Sequence, residues 1–93
     1  MLVRASSGSG GGGSSMTYET ASFTGTKTFS DVNNISAIVT YGTSQLLGFI
    51  IVENGTQVEY LSAHSSFSAS YSNGTLTLTW NYSIAGDCFV LHD

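Results

Sequence analysis

From Tyr18 onward, apolar and polar residues alternate with a period of two over most of the chain, and nowhere with the spacing of a helix face. That pattern, with frequent Thr, Val, Ile, Tyr and Phe and no proline, predicts strands. "YETASFT", Tyr18 to Thr24, reads as a first strand, continued by "KTF" after a bend at Gly25. "DVNN", Asp31 to Asn34, reads as a turn. "ISAIVTY" follows as a strand with Ile35, Ala37, Val39 and Tyr41 on one face. "LLGFIIVENGTQVEYLSA" predicts a hairpin closed by Asn54-Gly55, because both residues tolerate the positive φ of a type I′ turn. "FSASYSNGTLTLTWNY" predicts another, closed by Asn73-Gly74, with Leu76, Leu78, Trp80 and Tyr82 on one face. "CFVL", Cys88 to Leu91, is the last strand. About seven strands at short, regular spacing predict an all-β domain, an antiparallel β-sandwich or small jelly roll. It covers residues 16–93, behind an extended N-terminal arm at 1–15.

One segment breaks the alternation. Leu46 to Val52 is apolar on both faces, with Leu47, Phe49 and Ile51 expected on one side and Leu46, Ile50 and Val52 on the other. A strand with one solvated face should alternate. Either a loop or the first strand covers the second side, or Leu47, Phe49 and Ile51 form a subunit interface.

Composition sharpens this choice. The chain has 93 residues, and the 78 that follow the arm make a small core that is marginal without disulfides, metal or partners. Cys88 is the one cysteine, so no internal disulfide forms, and its simplest reading is a small buried thiol. His64, His92 and Cys88 make no metal-ligand pattern, and no cofactor motif is present. Partner subunits are the remaining supplement, which predicts a homo-oligomer. Charged residues are only 9% of the chain, which leaves the surface weakly protected from self-association. The net charge is −4, with Arg4 and Lys27 the positive side chains. Nucleic acid is excluded as a partner, since phosphate neutralisation needs several cations. Membrane insertion is not expected either, because "LLGFIIV" falls far short of the roughly 18 apolar residues a spanning helix needs.

No catalytic set stands out. His64 lies in "SAHSS", which reads as a loop, and no motif supplies a nucleophile with an oriented base. Glu53 and Glu59 flank the Asn54-Gly55 turn and read as a solvated hairpin end. Asn34, Asn54, Asn73 and Asn81 sit in N-x-S/T sequons, but turns explain them without glycans. Trp80, Tyr82 and Tyr60 share faces with apolar neighbours and read as core. Tyr18 shares its strand face with Thr20, Ser22 and Thr24, so it is the tyrosine expected to be exposed and the candidate ligand contact.

The head "MLVRA" precedes ten residues that are almost pure Ser and Gly. The Gly/Ser run is either a flexible spacer before a domain that starts at Met16, or an assembly arm. In the second case Leu2, Val3 and Arg4 would dock on a neighbour, for instance by strand addition. The head lacks the apolar stretch of a secretory signal.

A leader "MLVRASSGSGGGGSS" before "TASFTGTKTF…SASYSNGTLTLTW" resembles small virion proteins of tailed bacteriophages, in composition and layout over the whole chain. The resemblance implies a non-enzymatic structural part of the particle: a tail or neck fibre piece, a capsid decoration protein or an adhesin. It also implies other virion proteins as partners, and a protein made in the host cytoplasm and carried in the virion. A carbohydrate- or receptor-binding module at a fibre tip, meeting a host-surface glycan, is the alternative. The ending "FVLHD" lacks the Trp-x-x-x-Gly of some phage lectin-like tail domains, which argues against that alternative.

Overall fold

The computed structural model describes residues 15–93, and Leu2, Val3 and Arg4 lie outside them. Eight strands follow in chain order: β1 (Thr17–Phe23), β2 (Gly25–Phe29), β3 (Ile35–Tyr41), β4 (Gln45–Glu53), β5 (Thr56–Ser62), β6 (Phe67–Ser72), β7 (Thr75–Trp80) and β8 (Gly86–His92). They form a β-sandwich of two antiparallel sheets, ordered β1-β8-β3-β4-β5 and β2-β7-β6.

The eighth strand comes from the bend at Gly25, whose φ of 89° suits glycine. "KTF" does not continue the first strand. The bend carries it across to the other sheet, where Gly25 to Phe29 pair with Trp80 to Leu76. Both Asn-Gly turns form as expected, with φ of 52° and 77° at Asn54-Gly55 and 49° and 82° at Asn73-Gly74. They close the β4–β5 and β6–β7 hairpins.

Between the sheets lies a single apolar cluster. Leu76, Leu78 and Trp80 from β7 meet Ile35, Ala37 and Val39 of β3, Ile50 and Val52 of β4, and Cys88 and Val90 of β8. No polar or charged side chain is buried among the described residues. The indole N–H of Trp80 donates to the Ile84 carbonyl at 2.9 Å. Tyr71 Oη reaches the Val32 carbonyl at 2.7 Å, so both groups satisfy the rule that buried polar atoms find partners.

Two bulges alter the expected faces. Val39 opposes Gly48 and Thr40 opposes Leu46, which leaves Leu47 as the extra residue, turned into the core and fully buried. Leu47 is therefore a core residue and not part of a subunit interface, while Phe49 and Ile51 stay on the outer face. Leu46 moves to the outer side opposite Thr40. On β5, Val58 is the extra residue between the Ile51–Glu59 and Val52–Gln57 pairs. Every residue of β5 is exposed, because it is the edge strand of the larger sheet, meeting the smaller one at its end, where Ser62 Oγ donates to the Phe67 carbonyl at 2.8 Å. Tyr60, expected in the core, is exposed for that reason.

At one end the chain is laced by polar groups. The Asp93 carboxylate accepts from the backbone N–H groups of Asn33 and Asn34 and from Asn34 Nδ2. Asn34 Oδ1 in turn accepts from the Asn54 N–H at 3.0 Å. Asn34, a sequon residue, thus ties the β2–β3 loop to the first hairpin turn and to the residue after β8.

Gly48 packs its bare Cα against the Phe67 ring and the Leu61 carbonyl, and a Cβ there would collide with both. Gly48→Ala is expected to destabilise the domain by about 1–3 kcal/mol, the usual cost of overpacking. Urea denaturation should show the midpoint falling with an unchanged slope; an unchanged midpoint would refute this packing.

Candidate functional site

The outer face of the five-stranded sheet is the most unusual surface of the fold. Successive strand residues point to opposite sides, so the residues between buried positions define it. On β8, Phe89 and Leu91 alternate with the buried Gly86, Cys88 and Val90. On β3, Ile38 lies between buried Ala37 and Val39. On β4, Phe49 and Ile51 lie between Gly48, Ile50 and Val52.

Strand register lines these residues up. Thr20 opposes Phe89, Phe89 opposes Ile38, Ile38 opposes Phe49, and Phe49 opposes Leu61. An apolar row of four side chains therefore crosses β8, β3, β4 and β5 without a polar interruption. The neighbouring row runs Tyr18, Leu91, Ser36, Ile51 and Glu59. Phe89 and Leu61 are each 40% exposed, and Tyr18 is 63% exposed. An outer sheet face should be polar, and a contiguous apolar patch on a protein surface marks a contact site.

Among the described residues the charges around the rows have one sign. By the same alternation the face carries Glu53, Glu59 and Asp87, whereas Lys27 belongs to β2 in the other sheet. Asp87 accepts a hydrogen bond from Ser22 Oγ on the adjacent strand. The face is apolar at its centre and acidic at its margins.

Of the candidate interface residues, Phe49 and Ile51 lie in these rows and Leu47 does not. Tyr18 is exposed, as its strand neighbours imply, yet across the strands it stands opposite Leu91 and so borders the apolar surface. Ile38, Phe89, Leu91 and Leu61 were missed. The same signal that marks β4 is present in "CFVL" and at Ile38: strands apolar on both sides.

A second surface lies at the end where β7 leaves the sheet. Tyr82 stacks on Trp80 with centroids 5.0 Å apart, and the rings of Tyr41 and His64 stand edge-on to it. Trp80 is core, but Tyr82 is 44% exposed. His64 helps hold this corner. Its Nδ1 accepts the Ser66 N–H at 3.0 Å and its ring packs on Trp80, which is structural work. At the opposite end a polar basin of about 500 Å³ is lined by Asp31, Asn33, Gly55, Tyr71, Asn73 and Gly74, drawn from three separate turns.

Reactive chemistry is sparse. Burial pushes the Cys88 thiol above its ordinary pKa, with the Lys27 charge offsetting only part of that, so the thiol is held protonated. Among the described residues no three His, Cys, Asp or Glu gather to hold a metal ion. Glu19 and His92 form the ion pair that joins β1 to β8, with Oε2 and Nε2 2.6 Å apart. The ring of Phe29, from the facing sheet, lies 5.7 Å from His92.

No family model matches the sequence, and no curated protein or solved structure matches it either.

Burial disfavours a charged His92, but its hydrogen bond to Glu19, and the charges of Glu19 and Asp93, more than offset this and raise its pKa above the ordinary value. A raised folded-state pKa stabilises the fold fully below the unfolded value of about 6.5 and stops doing so as pH rises through the folded value. The urea midpoint should therefore fall between pH 5.5 and 8.5. Glu19→Gln should flatten that fall, and an equal fall in both proteins would rule out the pair as its source.

Proposed function

We propose that this chain is a non-enzymatic structural component of a phage particle, a fibre, tail or neck, or decoration protein, that self-associates. Its assembly surface is the outer face of the five-stranded sheet, together with the N-terminal arm. The observation that carries this reading is the uninterrupted row Phe89, Ile38, Phe49 and Leu61, on a domain with only one core. A small sandwich gains little by leaving Phe89 and Leu61 exposed and Ile38 and Phe49 half-buried beside them, and covering the row recovers roughly 25 cal/mol per Å² of apolar surface.

Size is consistent with a share of a larger contact. Five strands about 4.8 Å apart and seven residues long give a footprint on the order of 500 Å². A standard interface uses about 800 Å² per partner. The face alone makes a weak contact, and an arm or a repeated lattice of contacts would strengthen it. Scarce surface charge favours the same outcome, because few charged side chains over the rest of the surface protect the domain from association. The layout shared with small virion proteins supports the particle as its setting and the virion as its location.

A binding module for a host-surface glycan or receptor is the second reading, and Tyr82 favours it. An exposed ring fixed from behind by Trp80 is the kind of platform a sugar's C–H face stacks upon.

Light scattering coupled to size-exclusion chromatography should show molar mass rising above that of one chain as concentration increases. Phe89→Thr with Leu61→Thr keeps β-propensity and should return the protein to a monomer. If both proteins are monomeric at every concentration, assembly through this face is wrong. Glycan binding that Tyr82→Ala abolishes would then favour the second reading.

A further inference from the structure

We infer that the occupant of the outer face is the chain's own head, Met1 to Ala5, supplied within one copy or exchanged between copies. This rests on the reading of that face as an assembly surface and names what sits there.

Chemistry selects the head. Among the described residues the face is apolar along its rows and the charged groups at its margins are carboxylates, Glu59 and Asp87 among them. Its complement is a short apolar segment with a cation. Within this sequence "MLVRA" has that composition: Met1, Leu2 and Val3 are apolar and Arg4 is one of two cationic side chains. The other, Lys27, is fixed on β2 in the opposite sheet, over the Phe29 ring. A guanidinium is suited to a carboxylate at a partly desolvated margin.

Length agrees with chemistry. The apolar row spans three strand spacings, about 14 Å. Five extended residues reach about 16 Å. The head therefore matches the row from Phe89 to Leu61. The connection matches as well. Residues 6–16 separate the head from β1, and a Gly/Ser-rich stretch of eleven residues has a root-mean-square span of about 18 Å. β1 begins at Thr17, on the edge of the same sheet, and Tyr18 already points onto the face. Phe49 lies three strands away, within that span.

A second copy's sheet fits less well. Stacking two identical faces would bring carboxylates from both copies to one interface with no cation between them, which opposes association. A footprint on the order of 500 Å² is also small for a stable dimer of rigid domains. An arm held at millimolar effective concentration by its linker needs far less area to dock. Exchange of that arm between copies turns a self-contact into an intermolecular one with the same residues.

A nitroxide attached at Ser6→Cys in the full chain tests this, since the buried, protonated Cys88 will not compete for the label. Methyl resonances of Ile38, Ile51, Leu61 and Leu91 should broaden, while those of Thr28 and Thr79, on the outer side of the smaller sheet, should not. Leu2→Ser with Val3→Ser should abolish the broadening. Arg4→Glu should weaken it roughly two- to fivefold, the range an exposed ion pair provides. Broadening that is equal on both sheets, or unaffected by the Leu2 and Val3 changes, overturns the inference. Outer-face shifts that follow protein concentration without any such broadening also overturn it, and leave assembly through a second copy's sheet standing. Mixing spin-labelled chains with isotope-labelled, nitroxide-free chains separates the two readings. Broadening in the mixture supports both head docking and assembly. Broadening confined to the labelled chain supports head docking, while the assembly reading fails.

Discussion

Leu76, Leu78 and Trp80 project from the middle strand of the smaller sheet into the inner face of the larger one, and the rest of the molecule is arranged around that contact. A sheet has two faces, and a chain of this size can build only one interior. With three strands set against five, the smaller sheet is fully used as cover. β5, at the edge, is left exposed along its whole length, and the far side of the larger sheet leaves Phe89 and Leu61 exposed. Both features follow from the unequal division of strands. Gly25 contributes to that division, since the bend there transfers β2 out of the larger sheet.

Much of this architecture was legible in the residues. The Asn-Gly pairs mark both hairpins because few other residues accept consecutive positive φ values. The strict alternation of Thr75 to Trp80 identifies the strand that faces the core. What could not be read was whatever depends on register. Leu47 looks equivalent to Phe49 and Ile51 when residues are counted by twos, and only the bulge opposite Val39 and Thr40 turns it inward. Tyr60 stands on β5 opposite the buried Ile50, yet on this edge strand it is itself exposed. Counting along one strand says nothing about how far a facing sheet extends.

The outer face illustrates the same limit from the other side. Ile38, Phe49, Phe89 and Leu61 come from four strands spread over more than fifty positions; Phe49 stands out within the doubly apolar Leu46 to Val52, whereas Leu61 looks like an ordinary isolated apolar residue in its own segment. Scattered surface hydrophobics are normal. Their alignment into one row is a property of strand order, with β8 inserted between β1 and β3. Tyr18 shows how this changes a reading. Along β1 it has only hydroxyl neighbours, and across the sheet it borders Leu91.

The sparse charge then acquires a role. A domain with a mixed, highly charged surface would keep its outer face solvated and its copies apart. Here hydroxyls and amides fill the polar positions, and the charged side chains described on the larger sheet's outer face are carboxylates. Under the proposed reading such a surface discriminates: it disfavours direct stacking on its own image and favours a segment that is apolar and positively charged. Specificity of this kind arises as much from what is penalised as from what is attracted. A tethered segment also loses less freedom on docking than a free partner would, so a modest apolar row suffices to hold it. The fold has thus spent its few large side chains on one interior and one exterior row, and the exterior row has a use only when something covers it.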